Sequence, residues 1–224
     1  MKQFKIRCSQ IGQIMTNPRS KTELLSKTTI TYMDKYRKEE LYGRREEITS
    51  KQMDKGIQME AEAIELAARY YNWGMVFKNE KELHNDFMTG TPDVVLSDTV
   101  VDIKCPFSCF TFPLFDTEPD KGYWWQLQGY MALTGLDKAK LVYCLMDLPE
   151  DLMDSEIYYA QKRNVFSIEE EVRAYHTYSN LPDKMRIKSF DIARDQAAID
   201  SIYARVEECR EYYLEMVQIL SEAT

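Results

Sequence analysis

Two short β-branched runs, Val94-Val95-Leu96 and Val100-Val101-Asp102-Ile103, flank Ser97-Asp98 and constrain this chain more than any other segment. Val and Ile favour extended backbone, and a short polar pair between such runs reads as the turn of a hairpin. A two-residue turn fixes the register: 96 pairs with 99, 95 with 100, 94 with 101 and 93 with 102. Asp93 and Asp102 then stand directly opposite each other on one face, with Cβ atoms about 4.5–5.5 Å apart. Lys104 is two residues beyond Asp102, so it joins the same face.

Like charges that close repel, and the arrangement asks for a cation between them. Carboxylate oxygens are hard ligands suited to Mg2+ or Mn2+. Such an ion would polarise a phosphodiester, lower the pKa of a bound water and stabilise the leaving oxygen. Lys104 could orient that water or neutralise developing charge. The same residues would also make a surface hairpin with a salt bridge from Lys104 to one aspartate. The pattern P-D-x8-D-x-K is degenerate enough to recur by chance.

The rest of the chain mixes helical and extended signals. Residues 8–16 carry Ile11, Ile14 and Met15 at helical spacing, ended by Asn17-Pro18. Residues 50–72 read as a helix with Ser50 as cap and Met59, Ala63, Leu66, Ala67 and Tyr70 as its apolar stripe. Residues 120–135 read as a helix closed by Gly135. Lys140 to Met146 reads as a buried strand, and Glu169-Glu170-Glu171 as a solvated helix start. Residues 191–222 read as one long amphipathic helix, with Ile192, Ile199, Ile202, Val206, Tyr213, Met216 and Leu220 near one face. The expectation is an α/β core with a mixed sheet flanked by helices and a long C-terminal helix.

The 224 residues suffice for one domain, and no repeat, low-complexity segment or Gly/Ser-rich linker divides them. No run of about 18 apolar residues is present, so no membrane partner is expected. The first residues lack an apolar h-region, which points to work in a cytoplasm. Five scattered cysteines do not make a disulfide framework, and ligand spacings for a cysteine-held metal are absent. The net charge of −8 argues against a nucleic-acid binder, but it is unevenly spread. Residues 1–55 hold 13 Lys and Arg against 7 Asp and Glu, and the remainder holds 16 against 30. Lys2, Lys5, Arg7, Arg19, Lys21, Arg44 and Arg45 could face a polyanion; on charge alone they read as solvated surface. Trp124-Trp125 could stack on bases, though one packing and one anchoring an interface is the simpler reading. His84 and His176 have no partner pattern and receive no catalytic role.

The flanking sequence adds a resemblance. Upstream of Thr91-Pro92-Asp93, Gly56-Ile57-Gln58-Met59-Glu60 places an acid in a helix. Asp102-Ile103-Lys104 runs on into Cys105-Pro106-Phe107-Ser108. Downstream, Tyr123-Trp124-Trp125-Gln126-Leu127-Gln128-Gly129-Tyr130 sets Gln126 on one helical face with Tyr123 and Tyr130. A helical acid, then PD, D-x-K and a helical Gln is the order of the PD-(D/E)xK nucleases. The Ile103 to Ser108 block resembles the lambda exonuclease family in particular. Ser9, followed nine residues later by Pro18-Arg19-Ser20, is similar to that family's serine and P-R-S segment. The resembling blocks run from about Ser9 to Tyr130.

The resemblance implies a restriction-endonuclease-like core at about 50–147. A DNA-contacting segment would fill 1–49 and a helical extension about 165–224, all one nuclease domain over 1–224. It makes Asp93 and Asp102 metal ligands, assisted by the Ile103 carbonyl. Glu60 would serve a second metal site, with Mg2+ in both or Mn2+ in its place. Lys104 and Gln126 would position the nucleophilic water. Ser9 and Thr91 would help to bind a 5′ phosphate, beside which a scissile bond would be fixed. Two departures stand out. The second carboxylate is Asp102, where the lambda enzyme has Glu. The position of the family's phosphate-binding arginine falls on Lys2, which lacks a bidentate fork; Lys2, Lys5 or Arg19 would take its place.

The implied activity is 5′→3′ digestion of one strand of linear double-stranded DNA, leaving a 3′ overhang for phage-type recombination. The implied partners are other copies of the chain in a ring-shaped trimer and a single-strand annealing protein. The setting would be the host's cytoplasm if the gene is a phage's. An endonuclease or single-strand exonuclease on the same motif remains an alternative, as does a nuclease bearing a metal cluster. In a different class stands a non-catalytic DNA-binding or assembly subunit, against which the intact Asp93, Asp102 and Lys104 argue.

Overall fold

The computed structural model describes residues 3–20, 22–47, 49–163 and 169–222, with side chains to Leu214. The chain opens with β1 (Ile6–Arg7), a 3-10 turn (Cys8–Gln10), α1 (Ile11–Ile14), α2 (Lys27–Tyr42) and α3 (Lys51–Tyr71). Then come β2 (Leu83–His84), β3 (Met88–Gly90), β4 (Val94–Val95), β5 (Thr99–Lys104), α4 (Lys121–Thr134) and β6 (Lys138–Cys144). The chain continues through α5 (Glu150–Lys162), α6 (Glu169–His176), β7 (Ile187–Ala193) and α7 (Gln196–Glu222). A small sheet has the order β1-β3-β2, and a four-stranded mixed sheet the order β4-β5-β6-β7. Within the latter, β5 and β6 are parallel, and the outer pairs are antiparallel.

Period-two alternation sorts β5 and β6 between two cores. Val100, Ala139, Leu141 and Tyr143 face one side, against Ile11, Leu127, Met131 and the α7 residues Ile202 and Val206. Val101, Ile103, Val142 and Cys144 face the other, against Met59, Ala63, Leu66 and Ala67 of α3. Asp102 and Lys104 therefore share the Val100 face, which brings Asp102 under α4. Both faces of β6 are covered, as its near-continuous apolar run requires.

Local signals set the helix ends that frame the site. The Ser50 hydroxyl accepts a hydrogen bond from the Met53 N–H, and α3 stops where Asn72 turns left-handed (φ 54°). Asp120 caps α4 by accepting from Gly122 and Tyr123, and Gly135 closes it at φ 74°. Such a cap stabilises its helix by roughly 0.5–2 kcal/mol.

Several expectations need correction. Tyr70 is exposed, and Ile64 is buried in α3 where the expected stripe left it out. Residues 191–222 are not one helix: Ile192 lies in β7, which ends at Ala193, and α7 starts after Asp195, whose carboxylate accepts from the Ala198 N–H. The rest of the stripe holds for Ile199, Ile202, Val206 and Tyr213, joined by Cys209; the Met216 and Leu220 side chains lie outside the described residues. Strand β7, within the stretch expected to be a helical extension, pairs along its whole length with β6. Trp124 and Trp125 meet edge to face at 4.8 Å and pack on the first core. Among the described residues, no helix is long and apolar enough to cross a membrane.

Candidate active site

The hairpin register is the one the Ser97-Asp98 turn requires: Val94 pairs with Val101 and Val95 with Val100. The Leu96 N–H reaches the Thr99 carbonyl at 2.9 Å to close the turn. Asp93 extends across the hairpin, and its Oδ2 accepts the Ile103 N–H at 2.6 Å. The Lys104 ammonium lies 2.6 Å from Asp102 Oδ2 and 4.7 Å from the centre of the Tyr123 ring. This ion pair is not on the surface, since Asp102 is only 1% exposed.

Helix α4 supplies what lies behind the carboxylates. Gln126 is buried, and its amide donates to Asp102 Oδ1 and to the Tyr130 hydroxyl, both at 2.9 Å. Tyr130 in turn donates to the Thr91 carbonyl at 3.1 Å. The amide expected to face a water thus faces Asp102. Tyr130, buried itself, links the α4 network to the residue before Pro92-Asp93. The i, i+4 spacing from Gln126 was the available signal.

In front of the carboxylates a cleft of about 750 Å3 opens at the carboxyl end of β5, between α3 and the start of α4. Glu60, Asp93, Ile103, Lys104 and Tyr123 all line it. Glu60 is paired with Lys78 at 2.7 Å. Beneath the cleft, Lys55 of α3 is fully buried and donates to the carbonyls of Phe107 (3.1 Å) and Met146 (2.5 Å). It fastens α3 to the segment that follows Lys104. Burial lowers the Lys55 pKa to about 8, opposed by Cys105 and Asp147. Nothing in the spacing of a lysine within a polar run marked it.

Burial raises the pKa of both aspartates, and the charge of Asp102 pushes Asp93 higher still. Burial opposes the charge on Lys104, yet Asp102 and Asp93 together hold its pKa above the ordinary lysine value. The two aspartates therefore favour the charged form of Lys104.

The remaining residues expected to bind DNA lie outside the lining of this cleft. Ser9 is exposed in the 3-10 turn that packs on α4. Thr91 is exposed beside Pro92. Lys5 donates to the Asn85 carbonyl and borders a second hollow together with Arg7, Arg44 and Arg45. Arg19 is exposed beside Lys27 at the start of α2. Lys2 and Lys21 lie outside the described residues.

The donors suit a hard divalent cation. Asp102 Oδ2 is buried with no hydrogen-bonded partner of good geometry, only the Lys104 charge against it. Among the described residues, no three His, Cys, Asp or Glu side chains form a ready-made ligand group. Asp93, Asp102 and the Ile103 carbonyl could supply part of a coordination shell and leave the rest to water and phosphate oxygens, as Mg2+ commonly does.

A mixed sheet that sets two opposed aspartates and a lysine at one cleft, with Asp93 and Lys104 in its lining and Asp102 buried against Lys104, is the arrangement of the PD-(D/E)xK nuclease fold. Residues 1–137 match the YqaJ-like viral recombinase domain, and the chain belongs to that family. Among solved structures it is similar to a phage-related exonuclease from Haemophilus somnus 129PT. The two are 26% identical with a TM-score of 0.82, over 100% of this chain and 98% of the other. It shares its fold with the alkaline exonuclease LHK-Exo from Laribacter hongkongensis, at 20% identity and a TM-score of 0.67, over 98% and 92%. The same enzyme in complex with dAMP matches at 21% identity and 0.66, over the same shares. No curated protein matches the chain.

Proposed function

We propose that this chain is a Mg2+-dependent 5′→3′ exonuclease that digests one strand of linear double-stranded DNA. It leaves a 3′ overhang for single-strand annealing during phage-type recombination. The observation that carries the reading is the cluster in which Asp93 and Lys104 line the cleft and Asp102 is buried against Lys104. Bound there, Mg2+ (or Mn2+) supplies Lewis acidity and a water acidic enough to lose its proton near neutral pH. Asp93, Asp102 and the Ile103 carbonyl would hold the first ion, and Glu60, which pairs with Lys78, would serve a second. Gln126 keeps Asp102 oriented from behind. Lys104 orients the attacking water and stabilises the charge that develops on the phosphate.

Polarity rests on the family resemblance. Ser9, Thr91 and a cation from Lys2, Lys5 or Arg19 receive the 5′ phosphate and so fix which bond is cut. A ring-shaped trimer and an annealing protein are the partners proposed. Digestion of linear duplex labelled at either end, with and without a 5′ phosphate, beside a circular duplex, tests this. Loss of the 5′ strand with the circle intact is expected; cutting of the circle makes the chain an endonuclease, and inertness with Mg2+ present overturns a catalytic role.

A further inference from the structure

Immediately after the catalytic lysine the chain places aromatic rings where a core would not. Phe107 turns inward and meets buried His176 edge to face at 5.8 Å. Phe110, three residues on, is 78% exposed and lies nearly parallel to Tyr175 of α6, with ring planes 25° apart and centroids 6.1 Å apart. Tyr175 is itself half-exposed and rests edge-on against His176 at 4.9 Å.

The pair is held in place. The Cys109 N–H donates to the Tyr178 hydroxyl at 3.2 Å. Ser108 and Thr111 close a turn around Phe110 through reciprocal bonds of 3.0–3.2 Å. Below, Lys55 grips the Phe107 carbonyl. Phe107 and Thr111, on either side of Phe110 in sequence, line the cleft. The turn that carries Phe110 therefore borders the cleft.

We propose that Phe110 and Tyr175 form a base-stacking shelf that receives nucleobases of unpaired DNA next to the scissile phosphate. The inference rests on the nuclease reading and adds to it the way the unpaired strand is held. A duplex end must open before a phosphate inside it can reach Asp93, and the opened base loses its neighbours. A rigid ring with a free face replaces that stacking for any base, without sequence preference. Asp116 and Asp120 border the cleft, with Glu118 exposed between them, so this wall offers the phosphates no cation. An uncharged aromatic ring suits the base of a nucleotide.

The test uses the full chain in EDTA, so that nothing is cut, and a duplex whose short single-stranded end carries 2-aminopurine. Its fluorescence falls when the base stacks. Wild type should quench the probe, Phe110→Ala and Tyr175→Ala should lose the quench and bind about tenfold more weakly, and Phe110→Trp should restore both. Unchanged quenching and affinity in both alanine variants overturns the shelf. If those variants instead shift the sedimentation of the protein alone, the rings join copies of the chain, and the shelf is again overturned. Digestion of unlabelled linear duplex in Mg2+ by wild type runs alongside. Digestion without Phe110-dependent quenching removes only the shelf; Phe110-dependent quenching without digestion removes only the nuclease reading.

Discussion

The Gln126 amide donates a 2.9 Å hydrogen bond to Oδ1 of the buried Asp102 and so ties the centre of α4 to the middle of the hairpin. Since the amide never reaches the cleft wall, its effect on chemistry passes through Asp102. Gln126→Ala should lower kcat about tenfold or more and leave KM for DNA nearly unchanged. Losing a buried bond of this kind should also cost about 1–3 kcal/mol of stability. Steady-state digestion and thermal melts check both; a rise in KM alone would show that Gln126 binds substrate instead.

Lys104 is a cation locked by two buried aspartates. Lys104→Ala should reduce turnover by about 10²–10³, the usual effect of removing one preorganised charge from a transition state. DNA binding should persist, as read by gel shift in Ca2+. The variant also strands Asp102 without its counter-charge, so circular dichroism must confirm that it is folded. Near wild-type turnover would remove Lys104 from the mechanism.

Asp93 and Asp102 are costly to bury as two charges, and a divalent ion relieves that cost. Isothermal calorimetry should show Mg2+ binding in wild type weakened at least tenfold in Asp93→Ala and in Asp102→Ala. Unchanged titrations in both would show that the ion sits elsewhere, with Glu60 the next ligand to test.

The hairpin was legible because its signal is local. A polar two-residue turn between β-branched runs sets the register, and register alone places Asp93 opposite Asp102. Helix α2 was not legible, because its buried positions are Thr29, Met33 and Arg37. They fall at i, i+4 and i+8, but two of the three are polar, so no apolar stripe appears. The last residues of β7 were read into the following helix because Ile192 continues the spacing of Ile199 and Ile202; their pairing with β6 separates them. In the site, the charged residues could be read from motif order. The Tyr130 and Lys55 contacts could not, since each joins segments brought together only by the fold.

Lys55 gives the stability of the protein a pH dependence on the alkaline side. Unfolded, it titrates near 10.5; folded, burial lowers it to about 8. Below pH 8 both states carry the charge, and the folded state bears the full cost of burying it. Between pH 8 and 10.5 the unfolded chain binds more protons, so stability rises with pH across that window. The Lys55 contribution should amount to roughly 2–4 kcal/mol across it. Urea unfolding of wild type and Lys55→Met at several pH values checks this. The stability difference between the two should move in favour of wild type as pH rises, and a constant difference would show that Lys55 keeps its ordinary pKa in the fold.

Gly90, at the end of β3, lets the small sheet close on α4. A Cβ there would sit 2.7 Å from the Tyr130 ring and 2.8 Å from Cys8 Sγ. Neither neighbour can withdraw freely: Tyr130 is buried and bonded to Gln126 and Thr91, and Cys8 is buried in the turn that carries Ser9. Gly90→Ala should therefore destabilise the protein by about 1–3 kcal/mol, the usual effect of overpacking a filled core. It should also push Tyr130 away from Thr91 and disturb the approach to Asp93. Activity measured well below the melting temperature separates the two effects. A variant that melts earlier but digests DNA at the wild-type rate would show that the Tyr130 link serves the fold and not the site.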